Sequence, residues 1–125
     1  MALGRFEDAI DYGERALRLS PLDPRAFVAA NAMAAAHFLL GRYDEALHWA
    51  AKALRQHRGY PLALQTLIAA HAMAGRIDAA KDACALYLRL HPTARVSSIK
   101  DRMLCTRTED IEKYATGFRL AGLPD

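Results

Sequence analysis

The chain has 125 residues, a length typical of one domain, and 53% of them are hydrophobic. The two cysteines, Cys84 and Cys105, are too few for a disulfide framework and favour a reducing, cytoplasmic location. The net charge is only +3, and acidic residues stand beside basic ones, as at Glu14 and Arg15. Such a balance is typical of a solvated surface and argues against nucleic acid as the partner.

The uncharged stretches of the chain are too short to cross a bilayer, which takes roughly 20 apolar residues. The longest are residues 26–40 and 59–75, and both contain histidine and an amide side chain. Repeat sequence begins directly after Met1, so we expect no signal peptide. Composition therefore predicts a protein without membrane insertion.

Apolar residues recur at helical spacing through most of the chain, and no alternating strand pattern is present. Proline and glycine mark the boundaries: Pro21 and Pro24 separate the first two helices, Gly41 the next two, and Pro92 closes the fifth. The pattern predicts seven helices, over residues 5–19, 24–40, 43–57, 61–74, 77–91, 93–104 and from 108 onward.

One short stretch occurs three times. Residues 40–46 (LGRYDEA) return at residues 74–80 (AGRIDAA), a period of 34 residues, and a weaker copy lies at residues 3–9 (LGRFEDA). A period of this length indicates stacked helix–turn–helix units. Because each unit buries its apolar faces against its neighbours, the repeat predicts an all-α solenoid.

The chain resembles the tetratricopeptide repeat family over roughly residues 3–92. That family places small residues at two positions of the second helix of each unit, occupied here by Ala9, Ala16, Ala46, Ala53 and Ala80. The last unit departs from the pattern, because the large residue Tyr87 stands at the second position. The distance between the two helices of that unit is therefore not determined by the resemblance. The resemblance implies a right-handed superhelix built from a partial repeat (1–22), two repeats (23–58 and 59–92), and a short helix plus a C-terminal capping helix (93–125).

The family resemblance also implies a non-catalytic scaffold for protein–protein interaction, with the first helix of each unit lining a concave groove. The first helices, residues 26–40 and 60–74, contain no Asp, Glu, Lys or Arg. We therefore expect an apolar ligand: a hydrophobic helix, an extended peptide or the protein's own tail. The family's geometry turns ten residues toward the groove: Val28, Asn31, Ala32, Ala35, Phe38, Leu62, Gln65, Thr66, Ala69 and Ala72. First helices also pack against neighbours on two sides, so these residues could instead belong to the core.

The N-terminal helix has the character of a second helix whose first helix is absent. Its stripe of Phe6, Ala9, Ile10 and Leu17 would then lack its usual cover. Three explanations compete: the chain is a piece of a longer protein, two copies cover each other, or another protein supplies the missing helix. We favour the first, and we expect homodimerisation through this edge of the isolated piece as its consequence.

The last helix could cap the array or fold back into the groove, and its polar side, with Glu112, Lys113 and Arg119, favours the cap. The repeats and the final residues 119–124 also look like the C-terminal ends of certain bacterial signalling proteins. Those proteins carry tetratricopeptide repeats behind a class III adenylate or guanylate cyclase domain or a winged-helix regulator. The resemblance implies, as an alternative, a regulatory or sensory segment, and no cyclase catalytic motif is present.

We predict no catalytic, cofactor or metal site. His37 and His71 hold equivalent places in neighbouring units, where helices lie about 10 Å apart. That separation is too large for a shared zinc ion, whose bonds to nitrogen are about 2 Å long. Cys84 occupies a packing position, Cys105 lies in a predicted loop, and no base is placed to activate either.

Overall fold

The computed structural model describes residues 2–103 and 107–125, so the loop cysteine Cys105 lies outside the described residues. Within these ranges the chain forms seven helices and no strand, which confirms the predicted all-α class. The helices are α1 (Ala2–Leu19), α2 (Ala26–Leu39), α3 (Tyr43–Gln56), α4 (Pro61–Met73), α5 (Ile77–Leu90), α6 (Val96–Arg102) and α7 (Thr108–Leu120).

The turns inside the two complete units have the same geometry. Gly41 and Gly75 have φ angles of 82° and 86°, in the left-handed region that favours glycine. After α2, the amide of Gly41 donates to the carbonyl of Phe38 (3.0 Å) and that of Arg42 to the carbonyl of His37 (2.8 Å). This pair of bonds satisfies the last carbonyls of the helix and ends it sharply. The repeated turn glycine thus sets the hairpin in both units.

The helices stack in the order expected of a helical repeat. α2 packs extensively on α3, and α4 on α5, within each unit. Between units, α1 packs on α2 and α3 packs on α4. The helix α1 therefore behaves as the second helix of a partial unit, with its own first helix absent from the described residues.

Small side chains allow the helices of a unit to approach closely. Ala46, Ala53 and Ala80 are completely buried. Tyr87, which departs from this pattern, is buried as well, and its hydroxyl accepts a hydrogen bond from Nε2 of Gln65 at 3.0 Å. The larger side chain is accommodated because the first helix of the same unit offers it a polar partner.

The last helix packs on the first helix of the second unit more than on its second helix. A helix that continued the array would pack on α5 as α4 packs on α3, but α7 contacts α5 only slightly and packs mainly on α4. It also reaches α2, because Nζ of Lys113 donates to the carbonyl of Phe38 at 2.9 Å. The polar side of α7 is therefore not turned wholly to solvent, because its lysine reaches back to the C-terminal end of α2.

A single large core joins both complete units to α6 and α7. It includes Phe38 of α2, Ile68 of α4, and Tyr114 and Phe118 of α7, each no more than 6% exposed. No helix in the described part of the chain combines the length and apolar character needed to cross a bilayer.

Candidate functional site

The first helices α2 and α4 form a wall without charged side chains of their own, and the 34-residue period allows its two halves to be compared position by position. At the N-terminal end of this wall, Val28 and its equivalent Leu62 are both open to solvent, with 49% and 47% of their surface exposed. Apolar side chains of this size are usually covered, so the N-terminal end of the wall is a candidate contact surface.

The next two pairs of equivalent positions differ between the units. Ala32 is exposed and Ala35 half-buried in α2, whereas Thr66 and Ala69 in α4 are buried, at 2% and 0% exposure. The difference follows the position of α7, which covers the wall at Thr66 and Ala69 of the second unit but reaches the first unit only at its C-terminal end, near Phe38. Oγ1 of Thr66 lies 3.1 Å from the hydroxyl oxygen of Tyr114, a hydrogen bond inside the covered surface.

Close approach between α4 and α7 depends on a glycine. A Cβ atom placed on Gly117 would lie 2.8 Å from Cα of Ala69, closer than real Cβ contacts allow. Glycine in a helix is unfavourable by about 1 kcal/mol relative to alanine, so its presence here is explained by the packing. An isolated glycine inside a predicted helix is a sequence signal of close contact, but it does not say which helix makes that contact.

The start of α7 interacts with the C-terminal end of α2. The rings of Phe38 and Tyr114 have centroids 4.4 Å apart. Nζ of Lys113 lies 5.1 Å from the ring centroid of Phe38 and 5.2 Å from that of Tyr43, within the range of cation–π attraction. Because its ammonium group also donates to the last carbonyls of α2, Lys113 complements the negative end of that helix.

Five of the ten residues expected in the groove are not available there. Phe38, Thr66, Ala69 and Ala72 are buried in the core, the first three of them in direct contact with α7. Gln65 faces α5 instead of the groove, because its amide is bonded to Tyr87. Projection of the family's geometry cannot anticipate a helix of the same chain lying on the wall.

Asn31 holds the place in α2 that Gln65 holds in α4, but it has a different environment. Its Oδ1 atom is buried and has no hydrogen-bond partner among the described residues. The reason is that Ala53 stands in α3 where α5 has Tyr87, so the second helix offers no hydroxyl group. Asn31 is therefore a partly buried packing residue.

Four of the expected groove residues remain accessible. We call this surface the open wall: Val28, Ala32, Ala35 and Leu62. It lies beside the part of the wall that α7 covers, and it is entirely apolar.

The two equivalent histidines are internal residues. His37 is 7% exposed and His71 half-buried, and Nδ1 of each is buried without a partner among the described residues. Burial lowers the pKa of both imidazoles, and the neighbouring positive charges of Arg42 and Arg76 lower it further. Both side chains are thus held in the neutral form at neutral pH.

The described cysteine and the metal-binding residue types are the groups to compare with what chemistry would require. Cys84 is buried, and burial raises the pKa of its thiol, which makes it a poor nucleophile. Among the described residues, no group of three or more His, Cys, Asp or Glu side chains could hold a metal ion.

The turn arginines, in contrast, bridge successive units. Arg42 is paired with Glu7 of α1, and Nη2 of Arg76 lies 2.6 Å from Oδ1 of Asp44 in α3. Glu7 and Asp44 hold equivalent places, each two residues after the arginine of its own repeated stretch. Both pairs are exposed, so each contributes little to stability, about 0–1 kcal/mol.

The N-terminal edge also differs from its predicted form. Ile10 is buried at 5% exposure, and Phe6 and Leu17 are half-buried, whereas Ala9 is exposed. Part of the predicted stripe is covered because α1 packs on α2, where Gly13 lies against Met33. The uncovered face of α1 is rotated away from the predicted one.

A family model described as Tetratricopeptide repeat matches residues 37–103, which is more than half of the chain. A search of curated proteins finds no match.

Proposed function

The chain belongs to the tetratricopeptide repeat family, whose repeats generally mediate protein–protein interaction, and we propose that it binds an apolar helix of a partner protein on the open wall. The observation that carries this proposal is that α7 covers the wall in the second unit and leaves much of it accessible in the first unit. The same surface that holds α7 at Thr66 and Ala69 is accessible at Ala32 and Ala35.

The helix α7 indicates which chemistry this kind of surface accepts. It presents a glycine to Ala69 and flanks it with the aromatic side chains of Tyr114 and Phe118. In α2, the equivalent of Ala69 is Ala35, which is equally small and permits the same close approach. The proposed ligand is therefore an amphipathic helix with a small residue at its centre, one large apolar residue next to it and another three residues before it.

Affinity in this arrangement comes from burial of apolar surface on a wall that is already ordered, so the receptor loses little conformational freedom on binding. The open wall has no charged side chain of its own, so salt has little electrostatic attraction to screen. We expect a dissociation constant that changes by less than about threefold between low and high salt.

The family is typically non-catalytic, and the low cysteine content supports a cytoplasmic setting.

The test uses a phage-displayed library of helical peptides selected against the intact chain. The dissociation constant of an enriched peptide is then measured by calorimetry for the wild type and for Leu62→Glu and Ala32→Arg. We expect each variant to bind about tenfold or more weakly, because it places a charge where the apolar face would be buried. The matched control is Leu86→Glu, which changes a leucine that is 38% exposed on α5.

Two results would contradict the proposal. One is an enriched peptide whose affinity is the same for the wild type and for both open-wall variants, with thermal unfolding showing that the variants are folded. The other is peptide binding that falls steeply with added salt, which would indicate a charged site elsewhere.

A second candidate function is regulation inside a larger signalling protein. The observation that favours it is the position of α7, which lies on the same wall as the open site, so that a partner helix would contact or displace it. The likeness of the repeats and of residues 119–124 to tails of cyclases and winged-helix regulators supports the same idea. Sequencing the DNA upstream of the codon for Met1 would test it: an open reading frame that continues into such a domain is expected, and a stop codon in frame would exclude it.

A further inference from the structure

The helix α1 has one face that is covered in every other second helix. Ala9 and Ala16 are the equivalents of Ala46 and Ala53 in α3, which lie beneath α2 and are completely buried. In α1, Ala9 is exposed and Ala16 only half-buried. The repeat therefore identifies a surface that contacts a helix in the other units and that no helix of the described residues covers in α1.

Large apolar side chains extend this surface. Tyr12 is 76% exposed and Leu19 is 78% exposed. Together with Ala9 and Ala16 they are spaced three and four residues apart, so they form one continuous stripe along α1. We call the stripe Ala9, Tyr12, Ala16 and Leu19 the α1 face. It lies on a different helix from the open wall.

We propose that two copies of this chain pair through the α1 face, with their α1 helices antiparallel. Asp8 and Arg15 are exposed and lie along the same edge of the stripe, seven residues apart in sequence. In an antiparallel pair whose two-fold axis passes near Tyr12, the Asp8 of one copy lies opposite the Arg15 of the other, and the contact occurs twice. Neither side chain forms an ion pair within the residues that the structure describes.

This symmetry is the reason for choosing a second copy as the occupant. A two-fold interface must be complementary to itself, and the order of acid and base along the α1 face satisfies that condition. Ala9 and Ala16 have small side chains, so the backbones of two α1 helices can approach closely at these positions and the helix axes can lie a short distance apart. A parallel arrangement would place Asp8 opposite Asp8 and Arg15 opposite Arg15, which is unfavourable.

The test is a charge exchange followed by sedimentation equilibrium of the full chain. Asp8→Arg and Arg15→Asp should each raise the dissociation constant of the dimer by about tenfold, because each turns two attractive contacts into repulsive ones. The double variant D8R/R15D restores opposite charges across the interface and should return the constant to within about threefold of the wild type. Tyr12→Glu should produce a monomer at about 100 µM, because the charge would be buried at the centre of the pair.

The matched control is Asp11→Arg, which makes the same change of charge on the same helix but away from the α1 face, and it should leave the dimer unchanged. Circular dichroism of each variant verifies that α1 is folded. A wild-type chain that stays monomeric at about 1 mM overturns the proposal, because the dissociation constant of the dimer would then be above the millimolar range. So does a double variant that dissociates as readily as the single ones, since the antiparallel register would then be wrong.

Discussion

Two glycines inside helices face close neighbours, and the nature of the neighbour decides how each tolerates a side chain. Gly117 of α7 faces the backbone of Ala69, whereas Gly13 of α1 faces the flexible side chain of Met33. Backbone atoms of a packed helix cannot move without shifting the whole element, but a methionine can adopt another rotamer. The two positions therefore form a natural comparison on helices of the same chain.

We expect Gly117→Ala to lower the free energy of unfolding by roughly 1–3 kcal/mol, because the added methyl group forces α7 away from α4. Gly13→Ala should lower it by less than Gly117→Ala does, by about 1 kcal/mol, because the gain in helix propensity offsets part of the shift that buried Met33, whose Cγ would lie 2.6 Å from the added carbon, has to make. Urea denaturation of both variants measures the difference. Equal stability of Gly117→Ala and the wild type would show that α7 is not packed tightly on α4.

At the scale of whole helices, α7 covers the part of the wall that α4 forms. Its position depends on an apolar face that enters the core and on Lys113, which connects its first half to the end of α2. The apolar face of α7 would be buried whether the helix lay at the end of the array, on α5, or folded back onto α4. The contact of Lys113 with the carbonyls of α2 exists only in the folded-back position, so this residue reports on the fold-back.

Lys113→Met keeps the apolar stem of the side chain and removes its ammonium group. We expect a loss of about 0.5–1.5 kcal/mol in the free energy of unfolding, because the carbonyl groups at the end of α2 lose a charged donor. Hydrogen exchange should show faster exchange of the amides of α7. Lys81→Met, on the exposed surface of α5, is the control and should fall within about 0.5 kcal/mol of the wild type. The same effect in both variants would argue against the contact with α2.

Across the whole molecule, the two internal histidines connect stability to pH. Both have a pKa lowered from the ordinary value of 6.5, first by burial and then by a neighbouring arginine. As the pH falls through about 6.5, the unfolded chain takes up protons at these imidazoles while the folded chain does not, so acid favours unfolding. The contribution is fully present above that pH and is lost progressively as the pH falls toward the lower pKa of the folded state.

We expect the free energy of unfolding to decrease between pH 7 and pH 5, within the usual titration range of histidine. The double variant His37→Gln with His71→Gln should show a smaller decrease over the same range, and His48→Gln, which replaces an exposed histidine, is the matched control. Urea titrations at several pH values give the comparison. An unchanged slope in the double variant would mean that these two imidazoles do not cause the pH dependence.

The sequence by itself determined the seven helices, their boundaries to within a few residues and the repeat that relates them, because turn glycines, prolines and the spacing of alanines act locally. It also showed that the first helices carry no charge. Only the tertiary structure decided where α7 lies, which groove residues stay open, and how Tyr87 is accommodated by Gln65. The physical reason is that the pattern of apolar residues along a helix predicts that one face is buried, but it does not predict which helix covers that face. That choice depends on close approach at single residues such as Gly117, which appears only when the helices are assembled.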